Sequence, residues 1–222
     1  MDSAALAHTE HTRVKDYPGW LAQLLKRRRS RRFFSEHPVD RDALERALQA
    51  AMRAPSGANT QPWEFVLIER GPIRDKVREL CERADEEFHR RAPEWLRQFF
   101  AGHEITPVKQ FMARAPWLVA VFGRRDLPFW LQSVWLAIAN FNIALEAEGL
   151  HSLTYTPTLD KNFNRLLGVD ESWSCQAVLP VGHGEADEVL THRPRKGPAE
   201  KAHIVTGDGR LLPFDARLPF EP

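Results

Sequence analysis

Two segments of the chain concentrate groups suited to holding a small polar molecule. The first, Ala54-Pro55-Ser56-Gly57-Ala58-Asn59-Thr60-Gln61-Pro62-Trp63-Glu64-Phe65, runs straight into Val66-Leu67-Ile68. Pro55 and Pro62 fix φ at two points, and Gly57 lets another group approach the backbone. Ser56, Asn59, Thr60 and Gln61 offer hydrogen bonds in both directions. A plain connection from helix to strand needs much less, so this loop reads as a cradle for something flat and polar-edged. The second segment, Arg28-Arg29-Ser30-Arg31-Arg32-Phe33-Phe34, sets a hydroxyl among four guanidinium groups. Guanidinium groups bind phosphate bidentately, and a hydroxyl adds a short neutral donor between them. The alternative is a solvated basic helix end favoured by the macrodipole, and the segment alone leaves both readings open.

The elements that must position these groups follow from hydrophobic periodicity. Trp20, Leu21, Leu24 and Leu25 form an apolar stripe on a short helix that opens near Pro18 and ends in the basic residues 26–29. Asp40 is a good N-cap for a helix bearing Leu44, Ala47, Leu48 and Ala51, with Val39 placed to staple onto Leu44. That helix must stop before Pro55. Residues 64–69 read as a strand, and 72–100 as one long charged helix or two shorter ones broken near Pro93. Residues 117–122 read as a fully buried strand, and 127–148 as a helix that is apolar nearly all round and closed by Gly149. Residues 152–156 and 175–181 supply two further strands around a short helix at 163–167. After Pro198, residues 203–205 and 211–212 flank Gly207-Asp208-Gly209 as a hairpin. This order predicts an α+β sandwich whose one sheet gathers strands from distant parts of the chain. Phe129, Trp130, Trp135 and Phe141 lie on several faces of the central helix, more than one small sheet covers. A second subunit with an apolar interface would cover the rest.

Composition narrows the classes of function. The 222 residues fit one domain with appendages. Residues 1–16 are polar and aperiodic and are expected to form a flexible arm, 17–198 the domain, and 199–222 an extension. A formal net charge of +1 gives no compositional support to nucleic acid or an anionic membrane as partner. RNA binding by residues 27–32 would require a local effect alone. Cys81 and Cys175 are the only cysteines, without metal-type spacing, so a reducing compartment, no disulfide framework and no metal site are expected. Residues 1–10 lack the pattern of a signal peptide, which points to a cytoplasmic protein. Residues 127–145 carry no formal charge. Pro128, Gln132, Ser133, Asn140 and Asn142 interrupt them, which favours a helix buried in protein over a membrane span. There is no Gly-x-Gly-x-x-Gly fingerprint, Walker loop, His-Glu-x-x-His or nucleophile elbow, hence no dedicated nicotinamide site of the Rossmann kind.

Taken together, Arg-Arg-Ser-x-Arg-x-Phe at residues 28–34 and Ala-Pro-Ser-Gly-Ala-Asn-Thr-Gln-Pro-Trp-x-Phe at 54–65 resemble the nitroreductase superfamily of flavin enzymes. The resemblance covers about residues 21–198. It implies a nitroreductase-like α-β-α sandwich with a central mixed sheet and a long central helix, forming an intertwined homodimer with FMN at the interface. By this resemblance Arg28, Arg29, Ser30 and Arg32 hold the FMN phosphate and flavin edge. Pro55, Ser56 and Gly57, with Asn59, line the ring, and Arg195 of the pair Arg195-Lys196 adds a phosphate contact. Ser152-Leu153-Thr154-Tyr155-Thr156-Pro157, followed by Asn164-Arg165-Leu166-Leu167-Gly168, is similar to the Thr-x-Thr-Pro strand and Leu-Leu-Gly helix of the iodotyrosine deiodinase branch. This places Thr154, Tyr155 and Thr156 at the cofactor, with the Thr156 hydroxyl as the catalytic donor at flavin N5, where it favours one-electron steps over hydride transfer. From pattern alone, Thr156 is simply a β-branched strand residue.

Lys109-Gln110-Phe111-Met112-Ala113-Arg114-Ala115-Pro116 resembles the same branch, whose lysine, glutamate and tyrosine grip a substrate amino-acid group from a mobile lid. Lys109 matches the lysine. An ungapped count from Trp63 puts Asp85 and His89 at the other two positions, four residues apart and so on one helix face. Asp in place of Glu shortens the reach, and His in place of Tyr loses the phenol. The alternative is ordinary exposed charge on a lid helix, and a metal site needs more ligands than these two. The resemblance also sets the Ala58 backbone near a substrate oxygen. His183, in Leu179-Pro180-Val181-Gly182-His183-Gly184, reads as structural. The expected activity is an FMN-dependent oxidoreductase that reduces a small aromatic substrate at the flavin. One version is reductive dehalogenation of a halophenol or halotyrosine-like compound, with NAD(P)H as electron donor. The alternatives are an NAD(P)H-dependent nitro or quinone reductase and a non-catalytic flavin-binding protein.

Overall fold

The computed structural model describes residues 17–103, 105–186, 188 and 194–214, in two units that divide between residues 188 and 189. The arm expected at residues 1–16 lies outside the described residues. The first unit runs α1 (Tyr17–Arg27), α2 (Arg41–Met52), β1 (Trp63–Ile68), α3 (Pro72–Arg91), α4 (Glu94–Gly102), α5 (Gln110–Arg114), β2 (Trp117–Arg124), α6 (Trp130–Ala147), β3 (His151–Ser152), α7 (Lys161–Leu167) and β4 (Trp173–Gly182). Local chemistry sets the boundaries. The Asp40 carboxylate caps α2 by accepting the Asp42 N–H at 3.1 Å. The long charged segment breaks between α3 and α4 at Ala92, which Pro93 pushes into extended backbone at φ −61°, ψ 139°. Gly149 and Gly168 end α6 and α7 at φ +72° and +70°, the left-handed region that glycine enters without strain.

The sheet has the order β1-β2-β4-β3, and these strands pair antiparallel. A parallel bridge between Ser30 and Ser152 adds the arginine segment at the β3 edge, so pairing in the sheet as a whole is mixed. Central β2 is apolar from Trp117 to Gly123 because both its faces are covered there. Val119 and Val121 meet Leu44, Ala47 and Ala51 of α2 and Val134, Ile138 and Phe141 of α6. Leu118, Ala120 and Phe122 meet Val77 and Cys81 of α3, Met112 of α5 and Phe163 of α7. The result is the expected helix-sheet-helix sandwich. The strand expected at 152–156 is shorter than predicted: the ladder stops at Ser152, and Tyr155 makes only a lone bridge to Val178. Thr154 turns instead towards buried Asn142.

Among the described residues, no helix is long and apolar enough to cross a membrane. The second unit contains α8 (Pro198–Lys201) and the hairpin β5 (His203–Val205) and β6 (Leu211–Pro213), at the predicted place. Its turn uses Gly209 at φ +81°.

Candidate active site

Beyond α1 the arginine segment lies along β3. Ser30 bridges Ser152, the Arg31 N–H donates to the Ser152 carbonyl at 3.0 Å, and fully buried Phe34 bridges Gly184. The guanidinium groups are sorted by this anchoring. Arg31 Nη1 donates to Glu188 Oε2 at 3.2 Å, while Glu188 Oε1 accepts the Arg32 N–H at 3.0 Å. Arg29 Nη1 curls onto the Lys26 and Arg28 carbonyls at 2.6 and 3.0 Å. Arg32 is exposed. Thus Arg31, the one arginine of the segment to which the family pattern gives no role, is held by a carboxylate. Below the segment, Glu146 of α6 lies 3.7 Å from Arg27. Burial pushes the Glu146 carboxyl above its ordinary range, against the pull of Arg27, Arg28, Arg31 and Arg29.

A buried polar network ties this edge to the central helix. Asn142 Nδ2 donates to the Ile138 carbonyl at 2.9 Å and to Thr154 Oγ1 at 3.2 Å, and its Oδ1 accepts the Ser152 hydroxyl. Ser30, Ser152 and Thr154 are therefore brought together, and Thr156 follows as an exposed residue. His151 Nδ1 accepts the Gly184 N–H at 3.0 Å. Asn142 was visible in the sequence only as a polar interruption of an apolar helix, and nothing marked Glu188.

The predicted cradle is a short 3₁₀ turn, Gly57–Asn59, with left-handed φ at Ala58 (50°), Asn59 (54°) and Gln61 (46°). Asparagine tolerates this region, but alanine and glutamine are strained there, and such strain collects at binding sites. The loop is pinned by side chains. Ser133 Oγ accepts the Gly57 N–H at 3.3 Å, Ser56 Oγ accepts the Gln61 N–H at 3.1 Å, and the Thr60 hydroxyl donates to the Gly57 carbonyl at 3.0 Å. A Cβ on Gly57 would stand 2.4 Å from the Phe129 ring, so glycine is required for close approach. Pro55, Ala58 and Asn59 stay exposed. Ser133 and Phe129 had no place in the sequence prediction of the site.

One chain keeps these two halves apart. The cradle docks at Ser133 near the start of α6 and Glu146 underlies the arginines near its end, about 20 Å away at about 1.5 Å per helical residue. Along its length α6 exposes Leu131, Trp135 and Leu136. Two surface grooves, of about 530 and 410 Å³, are lined by none of the predicted site residues.

The three residues predicted for a lid are not equivalent. Lys109 is only 5% exposed, which overturns the reading of Lys109 as ordinary exposed charge. Its ammonium pairs with Asp85, donates to the Thr106 carbonyl at 2.6 Å and sits 5.1 Å from the centre of the Tyr155 ring. The Tyr155 hydroxyl donates to Asp85 Oδ1 at 2.8 Å. Burial, then the neighbouring Cys81 and Asp85, raise the Tyr155 phenol well above its ordinary value, so it remains a donor. His89 stands apart, stacked on Phe100 at 4.3 Å between ring centres. Arg74 anchors the other side of α5: its Nε donates to the Met112 carbonyl at 2.8 Å, and burial lowers its pKa to about 10. Among the described residues no group of three or more His, Cys, Asp and Glu could hold a metal ion. Arg195 lies exposed in the second unit.

Residues 25–183 match the family model of the Nitroreductase family. The chain is 34% identical over 158 residues to the iodotyrosine deiodinase of Thermotoga neapolitana, covering 71% of this chain and 84% of that protein. It is 29% identical over 187 residues to mouse (Mus musculus) iodotyrosine deiodinase 1, covering 78% of this chain and 65% of the mouse protein. The fold superimposes with a TM-score of 0.74 and 32% identity on a crystal structure of oxidised iodotyrosine deiodinase bound to FMN and 3-iodo-L-tyrosine, over 80% of this chain and 95% of that one. The chain therefore belongs to the nitroreductase family of FMN-dependent oxidoreductases and resembles its iodotyrosine deiodinase members.

Proposed function

We propose that the protein is a homodimeric enzyme that uses FMN and NAD(P)H to reduce a small aromatic substrate, with reductive dehalogenation of a halophenol or halotyrosine-like compound as its reaction. The observation that carries this reading is the Ser30–Ser152 bridge, which joins the arginine turn to the segment bearing Thr154 and Thr156. The donor set fits a phosphate ester. Arg28, Arg29, Ser30 and Arg32 offer guanidinium and hydroxyl donors there, while Arg31 is turned to Glu188. The Gly57 cradle would suit a flat ring: Pro55, Ser56, Gly57 and Asn59, with Thr154 and Tyr155, are the residues that would hold it. FMN, when bound, supplies the electrons for the reduction. With the flavin bound, Thr156 would offer its hydroxyl to the ring and the Ala58 N–H would meet a substrate oxygen, while Lys109 and Asp85, with His89 on the same helix as Asp85, would shield the pocket from water.

Two features support a homodimer. The halves of the site lie at opposite ends of α6, and Leu131, Trp135 and Leu136 on that helix form an exposed apolar face. A two-fold copy laying its α6 against this face would set one chain's cradle opposite the other's arginines. The test is a visible spectrum of the purified protein, followed by anaerobic reduction with a halophenol or halotyrosine present. The expected result is a yellow protein that releases halide. A colourless protein overturns the flavin reading. A yellow one that reduces nitroarenes or quinones with NAD(P)H yet frees no halide overturns the dehalogenase reading.

A further inference from the structure

The buried group Asp85, Lys109 and Tyr155 bears on which aromatic compound enters. We infer that Tyr155 locks the Asp85–Lys109 pair into a closed, net-neutral wall, so that the substrate is a halophenol without an α-amino-acid end. The inference rests on the dehalogenase reading above and narrows its substrate class. An ammonium has three donor directions, and those of Lys109 are all engaged: by Asp85, by the Thr106 carbonyl at 2.6 Å and by the face of Tyr155 at 5.1 Å. Both Asp85 oxygens are engaged as well, Oδ2 by Lys109 and Oδ1 by the Tyr155 hydroxyl at 2.8 Å. The Lys109 backbone is fixed too, its N–H donating to Glu82 Oε1 at 2.8 Å. The Tyr155 ring is held edge-on by Phe111 at 5.8 Å between ring centres.

To grip a zwitterion, Lys109 must exchange Asp85 for the substrate carboxylate, and Asp85 must exchange Lys109 for the substrate ammonium. That exchange breaks the ion pair at Lys109, which is almost fully buried, and both charged ends of the substrate give up their water. A neutral phenol asks for none of this, and the wall stays shut behind it. His89 offers no replacement contact, because its ring is stacked on Phe100. Tyr155 is thus a specificity-determining residue: without its hydroxyl, Asp85 keeps a free oxygen to present to an ammonium group.

The test uses the full chain loaded with FMN, titrated with 2-iodophenol and with 3-iodo-L-tyrosine. Binding is followed by quenching of flavin fluorescence, and iodide release is measured for each compound. The expected result is binding of 2-iodophenol at least about tenfold tighter than iodotyrosine, the size of one or two lost hydrogen bonds. Tyr155→Phe narrows that ratio. Equal or tighter binding of iodotyrosine by the wild type overturns the inference while leaving dehalogenation standing, and so does an unchanged ratio in the variant. Iodide from neither compound overturns the dehalogenase reading, and the inference with it.

Discussion

Ser133 ties Gly57 to the start of the central helix, its hydroxyl accepting the Gly57 N–H at 3.3 Å while donating to the Phe129 carbonyl at 2.7 Å. Ser133→Ala removes both contacts without adding bulk. A part-buried N–H left without its partner costs about 1–3 kcal/mol, and in a chain of this size each 1 kcal/mol lowers Tm by about 2–4 °C. The larger expected effect is on the cradle: FMN should bind about tenfold more weakly to a protein with unchanged far-ultraviolet circular dichroism. Calorimetric titration of the apoprotein with FMN measures this, and an unchanged Kd would show that the loop holds its shape without Ser133.

Gly57→Ala attacks the same contact from the other side. The new Cβ would stand 2.4 Å from the Phe129 ring, closer than any real contact, so the loop or the ring must move. Loss of FMN binding is expected, and Phe129→Ala in the same chain should restore part of it by clearing the space. If the double variant binds no better than Gly57→Ala alone, steric conflict is not what glycine avoids here.

His151 makes the structure sensitive to acid. Burial, followed by the neighbours Arg31, His183 and Arg27, lowers its pKa below the ordinary 6.5, and its Nδ1 must stay unprotonated to accept the Gly184 N–H. Below pH of about 6.5 the unfolded chain takes up a proton that the folded one refuses, so stability is present above that pH and is lost as pH falls through it. His151→Gln has no ring to protonate. Its Tm should therefore fall less steeply than that of the wild type between about pH 7 and pH 5. Parallel curves would place the acid sensitivity elsewhere.

Much of this architecture is legible in the residues because each signal is local. The Asp40 cap, the break at Pro93, the run of β2 and the closing Gly149 each act within a few residues, and each stands where periodicity predicts it. The arginine turn and the Gly57 loop are legible for a different reason, as motifs whose residue types suit a phosphate and a flat ring. What could not be read is pairing over long separations. Lys109 and Asp85 look like solvated charges until α3 and α5 fold together, and Glu188 meets Arg31 far along the chain, just beyond the segment 183–185 that returns beside Phe34. Ser133 was seen as one polar residue in an apolar helix, and its role appears only once the loop docks on it.

The exposed face of α6 allows the assembly to be tested separately from the chemistry. Trp135 is 37% exposed and Leu136 45%, beside Leu131 at 40%, on a helix whose other side is fully buried against α2 and the sheet. Trp135→Glu leaves the buried side alone, so the isolated chain should fold with an unchanged circular dichroism spectrum. A carboxylate placed in an apolar interface must either be stripped of water or keep the subunits apart, and the second costs less. The variant should therefore run at half the wild-type mass in size-exclusion chromatography with light scattering. Because the cradle and the arginine turn lie at opposite ends of α6, that monomer should also lose FMN. A monomer that still binds FMN tightly would mean that one chain builds the whole site, and a dimer that survives Trp135→Glu would put the interface on another face.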